Sequence, residues 1–186
     1  MRAPSREFWR GGRSETGASA IEFALILPVI MMIYAGTLDL NGYISVSRKI
    51  SNASGILSDL ITQNVSTISA ATIDDAFKGA AMALSPVPED AVGLEIRAYR
   101  LVNNKVTEQW NRKSGSGPSC ATPDTSGLMA LMTAGNDIVI ASVCTDYEPV
   151  MSKFIGAAVL GATKFKVESE IKLRPRESIT LDCPDC

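Results

Sequence analysis

The longest apolar run in the chain extends from Ala18 to Leu38, and Glu22 is the only charged residue within it. At about 1.5 Å per residue, a helix over this run is roughly 31 Å long, which matches the hydrocarbon core of a bilayer. The preceding segment 1–17 is basic, with four arginines against two glutamates. By the positive-inside rule that segment lies in the cytoplasm. The pattern therefore predicts one membrane-spanning helix with the remainder of the chain outside the membrane.

Glu22 separates three interpretations of this run. A cleaved secretory signal has a shorter apolar region and seldom carries an acidic residue near its start. A plain signal anchor explains the length but gives Glu22 no role, and a buried core helix explains neither the length nor the basic flank. A cut after Gly17 would give Ala18 a new α-amino group and make Glu22 the fifth residue of the mature chain. Its carboxylate would then lie near a positive amino terminus and the positive end of the helix dipole.

Beyond Leu38, apolar residues recur every three or four positions, which is typical of a helix with one apolar face. We expect the membrane helix to continue to about Asn64 as a stalk that packs against a domain. The apolar face is formed by Val46, Ile50, Ala53, Leu57, Ile61, Val65 and Ile68.

A second helix is predicted from Ile73 to Leu84. Thr72 is expected to cap its N-terminus, and Asp74 and Asp75 fall in the first turn, where the helix dipole favours acidic side chains. The segment 85–88 contains two prolines and should end the helix.

Strand patterns follow in the second half of the chain. From Val92 to Tyr99, apolar and polar residues alternate, which predicts one buried and one solvent-exposed face. Asn103-Asn104 predicts a hairpin turn into a return strand over 105–112. The segment 137–147 is apolar on both faces and so should be central, and 164–173 alternates most regularly.

These elements predict an α+β fold, in which a long N-terminal membrane-spanning and spine helix packs on a small antiparallel sheet domain. Segment 114–127 is rich in Gly, Ser and Pro and is expected to be a loop. Segment 151–161 is apolar but too short to span a bilayer. It is predicted to be a packed loop or short helix, and a partner-binding or membrane-surface patch is the alternative.

The composition argues against several classes of function. The net charge of −2 argues against a general nucleic-acid binder, and the absence of histidine removes the commonest general base and metal ligand. The acidic residues are scattered and form no evident catalytic pair. We therefore expect no enzyme, no cofactor and no metal site.

All four cysteines fall in the part expected to lie outside, where an oxidising compartment permits disulfides. Among three possible pairings, we favour Cys120 with Cys144 and Cys183 with Cys186. The last pair also has the spacing of a redox site. Such sites place the first cysteine at the start of a helix, whereas this pair ends the sequence, so a structural bridge is favoured over a thiol oxidoreductase.

The residues from Gly17 to Phe23 resemble a type IV prepilin cleavage region, with Gly, small and apolar residues, Glu22 and then an aromatic. The longer string GASAIEFALILPVIMMIYAG, which includes Pro28, resembles the TadE-like family of the tight-adherence (Tad) pilus machinery. A weaker resemblance lies at 173–176, where the last predicted strand ends in Leu-Arg-Pro-Arg.

The resemblance implies a minor pseudopilin that helps to initiate or assemble type IVb pili. A prepilin peptidase would cut between Gly17 and Ala18, and Glu22 would then contribute to assembly. The implied partners are the bacterial inner membrane, the prepilin peptidase and other pilus subunits, with the C-terminal domain in the periplasm. The expected organisation is a leader (1–17), a transmembrane helix (18–38), a helical spine (39–70) and a periplasmic domain (71–186).

Two other functions remain open from the sequence. One is a signal-anchored periplasmic binding module whose leader is not cut. The other is a membrane-tethered thiol oxidoreductase that uses Cys183 and Cys186.

Overall fold

The computed structural model describes residues 15–64, 66–114, 117–155 and 163–186. A single helix, α1 (Glu15–Thr62), runs from the N-terminal side of the described chain through the apolar run and onward along the domain. The sequence predicted this continuous helix and placed its end two residues later, at about Asn64. Val65 and residues 156–161 of the predicted apolar segment 151–161 lie outside the described residues.

The C-terminal half of α1 packs on the domain through the predicted apolar face. Ile50, Ala53, Leu57 and Ile61 are each at most 1% exposed, and Val46 packs at the edge of the same core. Spacings of three and four residues keep these side chains on one side of the helix, so their burial follows from the period of the helix. Ile68, the last residue of the predicted face, is buried but lies beyond the end of the helix.

The second helix, α2 (Ala70–Ala83), begins three residues earlier than predicted. Ser69 is its N-cap, and the Ser69 hydroxyl accepts a hydrogen bond from the backbone N–H of Thr72 at 3.2 Å. The prediction of Thr72 as the cap, with Asp74 and Asp75 in the first turn, was therefore wrong. The Asp185 carboxylate also accepts from the Ala70 N–H at 3.1 Å, and this distant cap favours the earlier start.

Within the described residues, four antiparallel strands form one sheet in the order β2-β1-β3-β4. They are β1 (Val92–Val102), β2 (Lys105–Lys113), β3 (Asp137–Tyr147) and β4 (Phe165–Leu173). The predicted hairpin is present at Asn103-Asn104, where both residues have positive φ, the conformation that Asn tolerates in tight turns. The α+β fold with its helix packed on a small antiparallel sheet is thus confirmed.

The sheet is covered on both faces, which accounts for the apolar character of β3. α1 and α2 cover one face, over side chains such as Val139 and Val143. The other face is covered in part by the short helix α3 (Leu128–Leu131), where Leu128 and Met132 pack against Ile138 and Ile140.

The prediction of a solvent-exposed face on β1 was wrong. Glu95 and Tyr99 point to that face, yet they are only 2% and 5% exposed. The loop before α3 covers this part of the sheet, and it approaches Gly93 so closely that a Cβ there would overlap the Pro118 carbonyl and the Cys144 sulfur. Only a residue without a side chain permits that approach.

Two further details differ from the sequence expectation. In β4, Val167 is buried but Phe165 is 44% exposed and Ile171 is half-buried, because β4 lies at the edge of the sheet. The segment after β3 begins with a short helix, α4 (Val150–Ile155), which was one of the predicted alternatives.

Candidate functional site

The N-terminal part of α1 is exposed along most of its length. Every residue from 19 to 34 is exposed, and the large side chains among them are 42–69% exposed. Within the described residues, this is the one helix long and apolar enough to cross a membrane by length and composition. A contiguous apolar surface of this size needs an apolar surrounding, which supports single-pass membrane anchoring by this N-terminal helix.

The residues of the proposed processing and assembly motif lie in the first turns of this helix. Gly17 and Ala18 lie near the N-terminal end of the described part of α1, well before the packed face that begins near Ile50. Glu22 is exposed on the helix surface, next to Phe23, which is 62% exposed. A carboxylate inside hydrocarbon costs about 2.5–3.5 kcal/mol at the bilayer centre and less near the edge. Glu22 therefore favours an interfacial position or a positively charged partner.

Pro28 lies inside α1, which continues past it. Because proline has no N–H, the Ala24 carbonyl loses its usual helical donor. Membrane helices tolerate such a site when a neighbouring helix or a side chain supplies a donor. Pro28 therefore marks a place in the apolar segment where a packing partner could satisfy the backbone.

The domain forms hydrogen bonds with α1 directly after the apolar segment ends. The Asp39 carboxylate accepts hydrogen bonds from the backbone N–H groups of Val150 (2.6 Å) and Met151 (2.9 Å), at the start of α4. The Tyr147 hydroxyl donates to the Asp39 carbonyl at 3.0 Å, and the Tyr147 ring meets Tyr43 edge-on, with centroids 6.0 Å apart. We call this contact the junction.

Two features hold the junction together. Burial, and secondarily the Asp39 carboxylate, raises the pKa of Tyr147, so its hydroxyl stays protonated and remains a donor. Gly42 lies against that hydroxyl, and a Cβ at this position would overlap it. Sequence analysis did not identify the junction because its partners are more than 100 residues apart. The only available signal was an aspartate placed directly after the apolar run.

Both favoured disulfides are present. Cys120 pairs with Cys144, which ties the loop to the central strand β3, and Cys183 pairs with Cys186, each with a Cα–Cα distance of 5.5 Å. The second pair lies beside Asp185, and these three side chains offer ligand atoms within 4.8 Å of one another. In the disulfide form, however, neither sulfur is a thiolate, which is the form that binds a metal.

The geometry around Cys183 also disfavours thiol exchange. The Asp185 carboxylate lies 3.5 Å from the Cys183 sulfur, and a negative charge at that distance opposes formation of a thiolate. The carboxylate instead caps α2 through the Ala70 N–H. This arrangement fits a structural bridge that holds the C-terminal segment against the start of α2.

Two buried carboxylates of the sheet have ion-pair partners. Glu95 contacts Arg97 at 2.9 Å and Lys113 at 3.1 Å, and it accepts from the Cys120 N–H at 3.2 Å. Burial opposes ionisation of Glu95, but the hydrogen bonds from Arg97 and Lys113 outweigh it and lower the pKa of the carboxyl below its ordinary value. The Glu95 side chain thus joins the loop to the sheet.

The second buried carboxylate, Asp137, accepts from Arg100 through both oxygens, at 2.6 and 2.8 Å, and from the Leu181 N–H at 2.7 Å. The hydrogen bond to Asp137 raises the pKa of Arg100 above its ordinary value. Like Glu95, this pair joins separate segments of the fold, and it binds the C-terminal segment to β3. Both pairs are adequately explained as structural.

The match found in the comparisons with known proteins lies within α1 and does not include the sheet. No curated protein and no solved structure matches the chain significantly. A family model described as TadE-like protein matches residues 17–55. The matched range holds the motif residues Gly17, Glu22 and Pro28, the exposed part of α1, and the beginning of its packed part. Residues 17–55 thus match the TadE-like family model, and the resemblance indicated by the N-terminal sequence is confirmed.

Proposed function

We propose that this chain is a minor pseudopilin that takes part in the assembly or initiation of Tad (type IVb) pili. The observation that carries the proposal is the TadE-like match over 17–55, which includes the stretch of α1 over 19–34 where every residue is exposed. The exposed half can be surrounded by lipid before assembly and can pack against apolar helices of other subunits during assembly. This dual use needs no pocket and no catalytic group.

In this proposal the basic leader 1–17 lies in the cytoplasm and a prepilin peptidase cuts between Gly17 and Ala18. Residues 18–38 span the inner membrane, residues 39–70 form the spine, and residues 71–186 form a domain in the periplasm. The position of the Gly17–Ala18 bond supports processing, because it lies far from the packed face at Ile50, so local unwinding for a peptidase leaves the packed part of the helix intact.

We further propose that Glu22 pairs with an α-amino group, either that of Ala18 in the same chain or that of a neighbouring subunit. Glu22 is four residues from Ala18, which is one helical turn, and its carboxylate is exposed rather than paired with the domain. Once the helix leaves lipid headgroups for an apolar bundle, an unpaired carboxylate there becomes costly. A positive partner removes that cost and selects one register between helices.

The first experiment determines the N-terminal residue and mass of the protein from its native host, with and without the prepilin peptidase. The proposal expects a chain that begins at Ala18 only when the peptidase is present. A full-length chain in both strains would refute processing. It would favour the alternative of a signal-anchored periplasmic binding module with a retained leader.

A second experiment tests the role of Glu22. Glu22→Ala should strongly reduce piliation while the protein remains in the membrane fraction, because an alanine in this segment does not impair insertion. Glu177→Ala is the matched control, since it removes one exposed carboxylate from the domain. Normal piliation with Glu22→Ala would contradict the assembly role, and equal loss with both variants would attribute the effect to charge in general.

A further inference from the structure

Four large apolar side chains at the membrane-facing end of the domain are exposed, and together we call them the base patch. They are Leu40, Tyr43, Val150 and Phe165, which are 59%, 43%, 46% and 44% exposed. Leu40, Tyr43 and Phe165 line one shallow groove with Tyr147 and Pro149, and Val150 follows Pro149 directly. The base patch is therefore continuous and includes residues from α1, α4 and β4.

The structure fixes the level of the base patch relative to the apolar segment. The Met151 sulfur lies 3.9 Å from where a Cβ on Gly36 would be, so α4 reaches a residue that lies inside the predicted span. The Val150 N–H is bonded to Asp39, one residue beyond the end of that span. At 1.5 Å per residue, Tyr43 is only about 7.5 Å beyond Leu38.

A bilayer has about 5–8 Å of interfacial layer on each side of its hydrocarbon core. If residues 18–38 fill the core, the whole base patch falls within that layer, because the junction holds α4 at the level of Asp39. The domain is therefore not held away from the membrane on a free stalk. Tyr43 and Tyr147 also have the amphipathic character of the aromatic residues that concentrate at this depth.

We propose that the base patch is a membrane-docking surface, embedded in the outer interfacial layer of the bilayer that α1 spans. The occupant is phospholipid, because the patch is continuous along α1 with the exposed apolar surface over 19–34, for which lipid is the surrounding. Docking rests only on membrane anchoring and does not depend on the pilus role.

The charges around the patch indicate what kind of lipid contact this is. In the segments that contribute to the patch, Lys153 on α4 and Lys164 before β4 are exposed, and so are Asp146 and Glu148 on either side of Tyr147. Lys166 donates to the Ser119 carbonyl at 2.7 Å. Positive and negative groups are thus nearly balanced, so docking is driven by apolar side chains and should depend little on salt or on the fraction of anionic lipid.

The test places a tryptophan in the base patch of the full-length chain and measures its quenching by brominated phospholipid. Phe165→Trp is made in a Trp9→Phe background and reconstituted in phosphatidylcholine vesicles, with bromines near the carboxyl end of the acyl chain. Val102→Trp is the matched control. Val102 is 41% exposed, and it lies at the other end of the sheet, about 40 Å away along the strands.

Docking predicts that the added tryptophan of Phe165→Trp is quenched at least about twofold more strongly than that of Val102→Trp. Quenching should persist at high salt and in vesicles with phosphatidylglycerol. Equal, weak quenching of both variants would overturn the proposal and leave the patch facing water or another protein. Val150→Trp supplies a second reporter on α4, so the test stands if the Phe165 variant fails to fold.

Discussion

The clearest energetic prediction concerns Asp137, whose carboxylate is fully buried at the start of the central strand β3. One of its oxygens accepts from Arg100 Nε, and the other accepts from Arg100 Nη2 and from the Leu181 N–H. Asp137→Asn keeps the shape of the side chain but removes its charge. Whichever way the amide is turned, its NH₂ group faces a donor, so at least one hydrogen bond is lost and two donors oppose each other.

The expected cost follows from the burial of the pair. Removing one partner of a buried ion pair typically costs about 3–5 kcal/mol, because the other charge is left uncompensated. Arg100 is only 20% exposed, but it retains an ion pair at 2.8 Å with Asp182, which is 57% exposed. We therefore expect the lower end of the range, a loss of about 3 kcal/mol in the free energy of unfolding.

The assay is equilibrium urea denaturation of the full chain in neutral detergent micelles with the disulfides intact. Trp110 is a suitable reporter, since it is buried and its indole N–H donates to the Leu181 carbonyl at 2.7 Å, beside the altered site. Asp75→Asn is the matched control. Asp75 forms an ion pair with Lys78 at 2.8 Å, but their side chains are 74% and 68% exposed.

Because solvent screens an exposed pair, Asp75→Asn should change the free energy of unfolding by no more than about 0.5 kcal/mol. A cost below about 1 kcal/mol for Asp137→Asn, indistinguishable from the control, would refute the reasoning that burial makes this pair important. A large loss with both variants would indicate instead that any change of charge destabilises the domain.

Two further predictions concern the domain. The pKa of Glu95 is lower in the folded state than its ordinary value of 4.5, so its ionisation stabilises the fold above that pH and the contribution is lost as pH falls below it. Urea denaturation from pH 6 down to pH 3 should therefore show a steeper loss of stability in the parent than in Glu95→Gln; parallel profiles would contradict this. Ser69→Ala should cost about 1 kcal/mol of unfolding free energy by removing the α2 cap. Thr72→Ala, which leaves the Thr72 N–H in place, should cost less, and the reverse order would show that the predicted cap at Thr72 was right.

The elements with strong periodicity could be predicted from the sequence, and the contacts that cross the chain could not. The continuous α1 helix and its buried face follow from apolar spacing alone, because residues 50, 53, 57 and 61 can share a surface only in a helix. β3 was predicted as central for a similar reason, since both of its faces are apolar. In each case the signal is local and repeats several times.

The errors arise where a distant segment changes a local preference. The alternation of β1 correctly marked one buried face, but nothing near Glu95 in sequence shows that the loop around Cys120 covers the other. The two possible caps of α2 are three residues apart, and the contact that favours the earlier one comes from Asp185, 115 residues away. Similarly, the junction at Asp39 depends on Tyr147 and α4.

The same distinction between local sequence signals and contacts from distant segments applies to the candidate site. The motif from Gly17 to Pro28 could be recognised from sequence because its residues lie in one continuous segment, and the TadE-like match covers that segment. The connection between this segment and the domain could not be predicted. That connection determines whether a movement of the membrane helix is transmitted to the domain. A continuous helix of 48 residues is about 72 Å long, and its exposed and packed halves are joined without a loop.

This continuity has a mechanical consequence. Between the end of the apolar run and the packed face at Ile50, the junction holds α1 by the Asp39 carboxylate and the Tyr147 hydroxyl. Rotation or translation of the membrane segment must therefore be passed to the sheet, unless the helix bends at Pro28, where a backbone hydrogen bond is missing. A rotation of the helix on the N-terminal side of Pro28 can be absorbed by such a bend, whereas a rotation on the domain side is transmitted through the junction to the sheet.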